Sequence, residues 1–230
     1  MLLIMLAILP ALILMILVYK ADKIEKEPIG LLFLLILGGI LSALLAILGE
    51  TIMGVPVTLI YALTRSELLY QILENFIVVA LVEELAKFLF LYLFSWKNKA
   101  FNFRFDGVVY SVFVSLGFAA FENVMYLSKF GSGVLVTRAL LAIPAHLGFA
   151  VFMGVFYGMG RMYANYGARR QGRFYCFMGI LIAVLFHGLY DFCASYHNIL
   201  LTLIFLLVAV VIDILLIINI VKGSKNDRPI

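Results

Sequence analysis

The amino-acid sequence predicts an all-α, multi-pass transmembrane helix bundle of about seven spans. Hydrophobic residues fill 65% of the 230 positions against 13% charged, and mean hydropathy is +1.14, which leaves too few polar groups to cover a soluble domain of this size. Apolar runs long enough to cross a hydrocarbon core of about 30 Å recur along the chain. They lack alternation of period two, and lipid offers the backbone no hydrogen-bond partners, so each run must satisfy its own amides as a helix.

The first span, Leu2 to Tyr19, has no basic segment before it and no small-residue cleavage site after it, and reads as an uncleaved anchor rather than a signal peptide. The second, Ile29 to Leu48, carries Gly39 and Ala43 one turn apart, a pair that lets another helix approach closely. Gly49 to Gln71 is too polar for a span and too apolar for an ordinary loop. With Thr51, Gly54, Pro56, Thr58 and Arg65 it reads as a re-entrant or interfacial segment near the outer face, where Tyr61 and Tyr70 suit the headgroup layer. The third span is Ile72 to Phe94 and the fourth Phe105 to Leu127. The fifth, Arg138 to Gly158, is kinked by Pro144 and repeats the small-residue spacing at Gly154 and Gly158. The sixth runs from Phe174 to Cys193. Its two cysteines, Cys176 and Cys193, lie about 25 Å apart along a helix, too far to bridge. The seventh is Ile199 to Val221. No repeat, low-complexity segment or long linker divides the chain, so residues 1–230 read as a single domain.

Lys and Arg set the orientation. Thirteen of the 17 fall in the first, third and fifth loops and the tail, from Lys20 to Lys26, Lys97 to Arg104, Arg161 to Arg173 and Lys222 to Arg228. Only Arg65, Lys129 and Arg138 fall on the other side, and Lys87 sits inside a span. The positive-inside rule then predicts a cell-membrane protein with its N-terminus outside and its C-terminus cytoplasmic. The formal charge of +4 reflects this topology rather than nucleic-acid binding, and the basic loops favour anionic lipid headgroups.

Four of the spans carry ionisable side chains, which at mid-bilayer cost between about 3 and 15 kcal/mol and therefore face a bundle interior or a wet cavity. In the third span Lys87 is four residues from Glu83 and three from Glu84, so one ammonium reaches both carboxylates on one helical face. A structural salt bridge needs one Glu, and a second beside it supplies the acid and base of a hydrolytic site; a proton-coupled transporter would carry the same pattern. The fourth span carries Glu122 beside Asn123, four residues after Phe118. The fifth carries His146, where the kink at Pro144 opens space for water. In the sixth, Asp191 lies one turn after His187 and can fix the tautomer of the ring. Counted at 1.5 Å per residue, all these groups share the outer half of the bilayer, which predicts one cavity open to the outside. Glu74, Asn75, Asp106 and Asp213 show no comparable grouping; Asp213 is an unassigned buried acid, to be paired with Lys87 or Arg138 or turned to the cavity.

The segments VEELAKF, FDGVVYSVFVSLGFAAFENVMY, RALLAIPAHLGFAVFMGVFYG and FHGLYDF resemble the PrsW family of intramembrane proteases. The resemblance covers roughly residues 72–192 and is more distantly similar to the CAAX prenyl proteases, which have His at the position of Glu122. It implies proteolysis within or beside the membrane, with Glu83, Glu84, Glu122, His146, His187 and Asp191 as functional positions. It also implies a single-span substrate such as an anti-sigma factor, cut first on its extracytoplasmic side as part of a stress response.

Peptide hydrolysis needs an activated water, a stabilised oxyanion and a proton for the leaving amine. On spacing alone, one of Glu83 and Glu84, with His146 or Glu122, activates the water; the other is the acid, partly neutralised by Lys87; His187, held by Asp191, donates to the oxyanion. A zinc ion held by residues such as Glu122, His146 and His187 is the metal-dependent alternative. An ion-coupled transporter is the alternative function, but the inverted repeats expected of one are missing from the sequence.

Overall fold

The computed structural model describes residues 1–195 and 227–230, with the isolated positions Leu203, Phe205, Ile220 and Lys225 between them. Most of the predicted seventh span, including Asp213, lies outside the described residues.

Helix α1 (Leu2–Ala21) leads through a short loop to α2 (Ile29–Thr64), and a turn at Arg65 and Ser66 starts α3 (Glu67–Leu73). A π-helical segment (Glu74–Leu81) joins α3 to α4 (Val82–Ser95). Helix α5 (Asp106–Phe130) follows the third loop. A 3-10 turn, the single helical turn α6 (Leu135–Thr137) and a second π segment (Arg138–Ala142) then lead into α7 (Ile143–Asn165), and α8 (Arg169–Ser195) completes the described bundle. Among the described residues, five helical stretches are long and apolar enough to cross a membrane: α1, α2, α5, the run Ser132–Asn165 and α8. The third predicted span arrives instead as the unbroken run of α3, π segment and α4, none of which reaches that length by itself.

Helix α2 corrects one expectation. Residues 49–64 are neither re-entrant nor a loop but continue the second span as one helix of 36 residues, through Pro56. Hydroxyls along the segment are satisfied within the helix: Thr51 Oγ1 donates to the Ile47 carbonyl at 2.7 Å, as does Thr64 Oγ1 to that of Ile60 at 2.9 Å. The helix ends at Arg65 in the left-handed region, and the Ser66 side chain accepts from the Leu69 amide to begin α3.

Helix α5 is the axis of the bundle. Of its apolar window 72% is buried, against 22% for α1, which lines the periphery. Its own Tyr110 and Leu116 and, from its neighbours, Phe101, Phe149 and Tyr157 are the large buried side chains of this core. The predicted small-residue contacts bring α2 and α7 onto it. A Cβ on Gly39 would collide with the Val114 carbonyl oxygen, and one on Gly154 with the backbone of Val108. On α8, a Cβ at Gly188 would meet the Phe76 ring at 2.4 Å, so this glycine lets α8 close on the first π segment and carries its neighbour His187 toward α4.

The loops at residues 22–28 and 96–105 lie at one end of the bundle, which carries the basic residues, and the described tail docks there: Arg104 N–H donates to the Arg228 carbonyl and Ile230 N–H to that of Asn102. Asp106, which looked isolated in the sequence, is grouped at this end after all. Its carboxylate accepts from the amides of Asn102 and Phe103 at 2.9 and 2.7 Å and pairs with Glu27, which also accepts from the Tyr110 hydroxyl. Burial, and then the charge of Asp106, push Glu27 well above the ordinary carboxylate range. The linkage has a definite sign. Above pH 4.5 an unfolded chain gives up the Glu27 proton while the folded protein keeps it, so stability falls as pH rises toward the folded-state value. Asp22, raised to about 6 chiefly by burial, adds in the same direction. Glu27→Gln should therefore lose less Tm than the wild type between pH 5 and pH 8 in detergent; equal losses would show that Glu27 does not set the slope.

Candidate active site

The seven site residues expected from the sequence, Glu83, Glu84, Lys87, Glu122, His146, His187 and Asp191, lie in one continuous polar network. At its centre, Lys87 Nζ donates to Glu83 Oε2 at 2.9 Å and to Glu84 Oε1 at 2.8 Å, lies 3.4 Å from His146 Nδ1, and rests 4.0 Å from the centre of the Phe118 ring. The ammonium is 2% exposed and Glu84 1%, so neither meets bulk water. Three carboxylate and imidazole partners and an aromatic face are what make such burial tolerable.

His187 bridges the far side. Its Nδ1 lies 2.8 Å from Glu84 Oε1 and its Nε2 3.1 Å from Asp191 Oδ2, with Glu83 Oε2 at 3.9 Å. Carboxylate oxygens thus face both ring nitrogens, a setting that two N–H donors would satisfy. The ring stacks on Phe149 at 4.8 Å. His146 is held differently. Its Nε2 lies 3.1 Å from Glu122 Oε2, and Ser115 Oγ donates to its backbone carbonyl at 3.0 Å. A hydrogen on Nε2 toward Glu122 leaves Nδ1 to accept from Lys87. The two imidazoles meet edge to face, with centroids 5.6 Å apart.

Both π segments sit immediately before motif residues, Glu74–Leu81 ahead of Glu83 and Arg138–Ala142 ahead of His146. Such segments recur at functional sites because they reset which residues share a face. Here Asn75, Val79 and Glu83 come to line one cavity, as do Arg138, Leu141, Ala142 and His146.

That cavity, about 680 Å³, divides the network. Glu83, Glu122, His146, His187 and Asp191 line it, whereas Glu84 and Lys87 do not and face instead a narrow void against Ser111 and Ser115. Toward the end opposite the basic loops the walls are Glu50, Asn75, Thr137, Arg138 and Ser195. Sequence reasoning passed over three of these. Arg138, counted for topology and as a candidate partner of Asp213 but not for the site, donates to Glu122 Oε2 at 2.7 Å and to Asn123 Oδ1 at 2.6 Å and lies 3.8 Å over the Tyr126 ring. Asn75, set aside as ungrouped, donates to Gln71 and Ser195. Glu50 went unnoticed inside the supposed re-entrant segment, although its spacing of seven from Ala43 and four from Ala46 puts it on the same helical face.

Among the described residues, the donors able to approach a metal are Glu83, Glu84 and His146, with ligand atoms within 4.8 Å of one another, rather than the set of Glu122, His146 and His187 considered from the sequence. Their chemistry suits zinc, but the Lys87 ammonium already contacts all three. A dication with ligands at about 2 Å would lie beside that positive charge. As arranged, the residues do not fit a resident metal.

A membrane-embedded helix bundle with carboxylates and imidazoles around an internal cavity is the architecture of an intramembrane hydrolase. A family model described as PrsW family intramembrane metalloprotease matches residues 27–218. The chain is 37% identical to Protease PrsW of Clostridioides difficile (strain 630) over 193 residues, 82% of this chain and 77% of that protein. It is 31% identical to Protease PrsW of Geobacillus kaustophilus (strain HTA426) over 175 residues, 75% and 71% of the two chains, and 34% identical to Protease PrsW of Bacillus subtilis (strain 168) over 118 residues, 51% and 52%. No solved structure matches. The chain belongs to the PrsW family of intramembrane proteases.

Proposed function

We propose that the protein cuts a single-span membrane protein, such as an anti-sigma factor, by a metal-independent mechanism in which Glu83 is the general base. The observation that carries this reading is the division of the glutamate pair: Glu83 faces the cavity, while Glu84 is turned away and occupied by Lys87 and His187. A water in the cavity loses a proton to Glu83 as its oxygen attacks the peptide carbonyl carbon. The developing oxyanion takes over the Nε2 hydrogen of His187 from Asp191, while Glu84 keeps hold of Nδ1. Glu83 then returns the proton to the amide nitrogen as the C–N bond breaks, leaving a carboxyl and an amine. Glu84 and Lys87 are positioning residues. Glu122, anchored by Arg138, orients His146 at the cavity wall.

The basic loops support a cytoplasmic assignment for their end of the bundle, with the N-terminus outside, so that the cavity is reached from the extracytoplasmic side of the cell membrane. The test is reconstitution in proteoliposomes with a single-span reporter, followed by mass spectrometry of the products. A cut within the outer half of the reporter's span or just beyond it is expected. An uncut reporter, or a cut at its cytoplasmic flank, would overturn this reading.

A further inference from the structure

We infer that Glu50 is a specificity residue, a subsite that receives a basic side chain of the substrate beside the scissile bond. The inference rests on the proteolytic reading above and deepens it. Each other acid on the cavity wall has a countercharge or imidazole: Glu83 with Lys87, Glu122 with Arg138 and His146, Asp191 with His187. Glu50, half-buried on α2 and part of the same wall, has no ion-pair or hydrogen-bond partner among the described residues. The neighbouring cations are committed, Lys87 to two carboxylates and Arg138 to Glu122 and Asn123.

A lone carboxylate in a site of this polarity is a cation receptor in search of its cation. The wall leading to it has the right shape for a long basic side chain. Ala43 and Ala46, on the same face of α2, are small, and Ile47 and Phe118 add apolar surface. A Lys or Arg can lay its aliphatic stem along such a wall while its charged head reaches toward the aqueous end. The residue that supplies it would lie next to the bond presented to Glu83, because Glu50 and Glu83 line one cavity.

The test uses labelled single-span peptides in nanodiscs, identical except for one position scanned across the outer flank and occupied by Lys, Met or Glu. Binding is read in the full chain carrying Glu83→Gln, so that no peptide is cut, and cleavage is read separately with Glu83 intact. At one position Lys should bind about tenfold tighter than Met, close to the lower end of what is measured for close charge pairs. Adding Glu50→Gln should bring that ratio near one, Glu50→Asp should retain the preference, and Glu50→Lys should transfer it to the Glu-bearing peptide. An unchanged ratio in Glu50→Gln, or no position that prefers Lys, would overturn the inference. If Glu50→Gln does not fold, Glu50→Lys is the test, and a preference that stays with the Lys-bearing peptide in that variant would overturn the inference. If the preference follows Glu50 in binding but no peptide is ever cut, the protease mechanism fails and the subsite stands.

Discussion

Glu83→Gln is expected to lower kcat by about 10³-fold or more, the upper part of the range for removing a general base, while Tm changes little. The two effects separate because of how the carboxylates are divided. Glutamine keeps the shape of Glu83, and Lys87 retains Glu84 at 2.8 Å, so its charge stays compensated. What is lost is the one carboxylate of the pair that both faces the cavity and can take a proton from water. Glu84→Gln should behave in the opposite proportion. It removes the acceptor shared by Lys87 and His187, so Tm should drop clearly, and any loss of rate would come through displacement of those two groups. Cleavage kinetics and thermal unfolding of both variants, measured in one detergent, decide the matter. Wild-type kcat in Glu83→Gln would remove Glu83 from the chemistry.

The membrane class and the composition of the network were legible because both depend on short-range rules. Burial of Glu83, Glu84 and Lys87 follows from their place in an apolar run, and their mutual contact follows from spacings of three and four. The same rule linked His187 to Asp191. What spacing cannot give is rotation of one helix against another. Adjacent residues on a helix point about 100° apart, and only the packing of α8 and the first π segment decides that Glu83 meets the cavity and Glu84 meets His187. The π segments themselves left no mark in the pattern of apolar residues. Glu50 was hidden for another reason: Thr51, Pro56 and Thr58 lower the local hydropathy, and a helix that bonds its own hydroxyls looks the same in sequence as a polar loop. The acid pair Glu27 and Asp106 joins loops 79 residues apart in sequence, beyond the reach of any local spacing.

Lys87→Met should destabilise the protein by about 3–5 kcal/mol, the usual cost of removing one partner from a buried charge cluster. Methionine fills much of the lysine volume but leaves Glu83 and Glu84 to compete for His187 alone. The variant should also acquire what the wild type does not have. With the ammonium gone, Glu83, Glu84 and His146 still present ligand atoms within 4.8 Å, and the charge that opposed a dication has been removed. Addition of zinc or cobalt should then raise the Tm of Lys87→Met, since a metal that binds only the folded state stabilises it by mass action. Cobalt should give the visible absorption of a low-coordinate site. In the wild type the same titration should shift neither Tm nor absorption, and cleavage should survive a tight chelator. Loss of wild-type cleavage on chelation, restored by zinc, would mean that Lys87 moves aside for a metal and that the water is activated by that ion, as the family description implies, rather than by Glu83 alone. The distinction matters for Lys87 itself: in the first case it is the resident cation that holds two adjacent carboxylates in place, and in the second it is a gate.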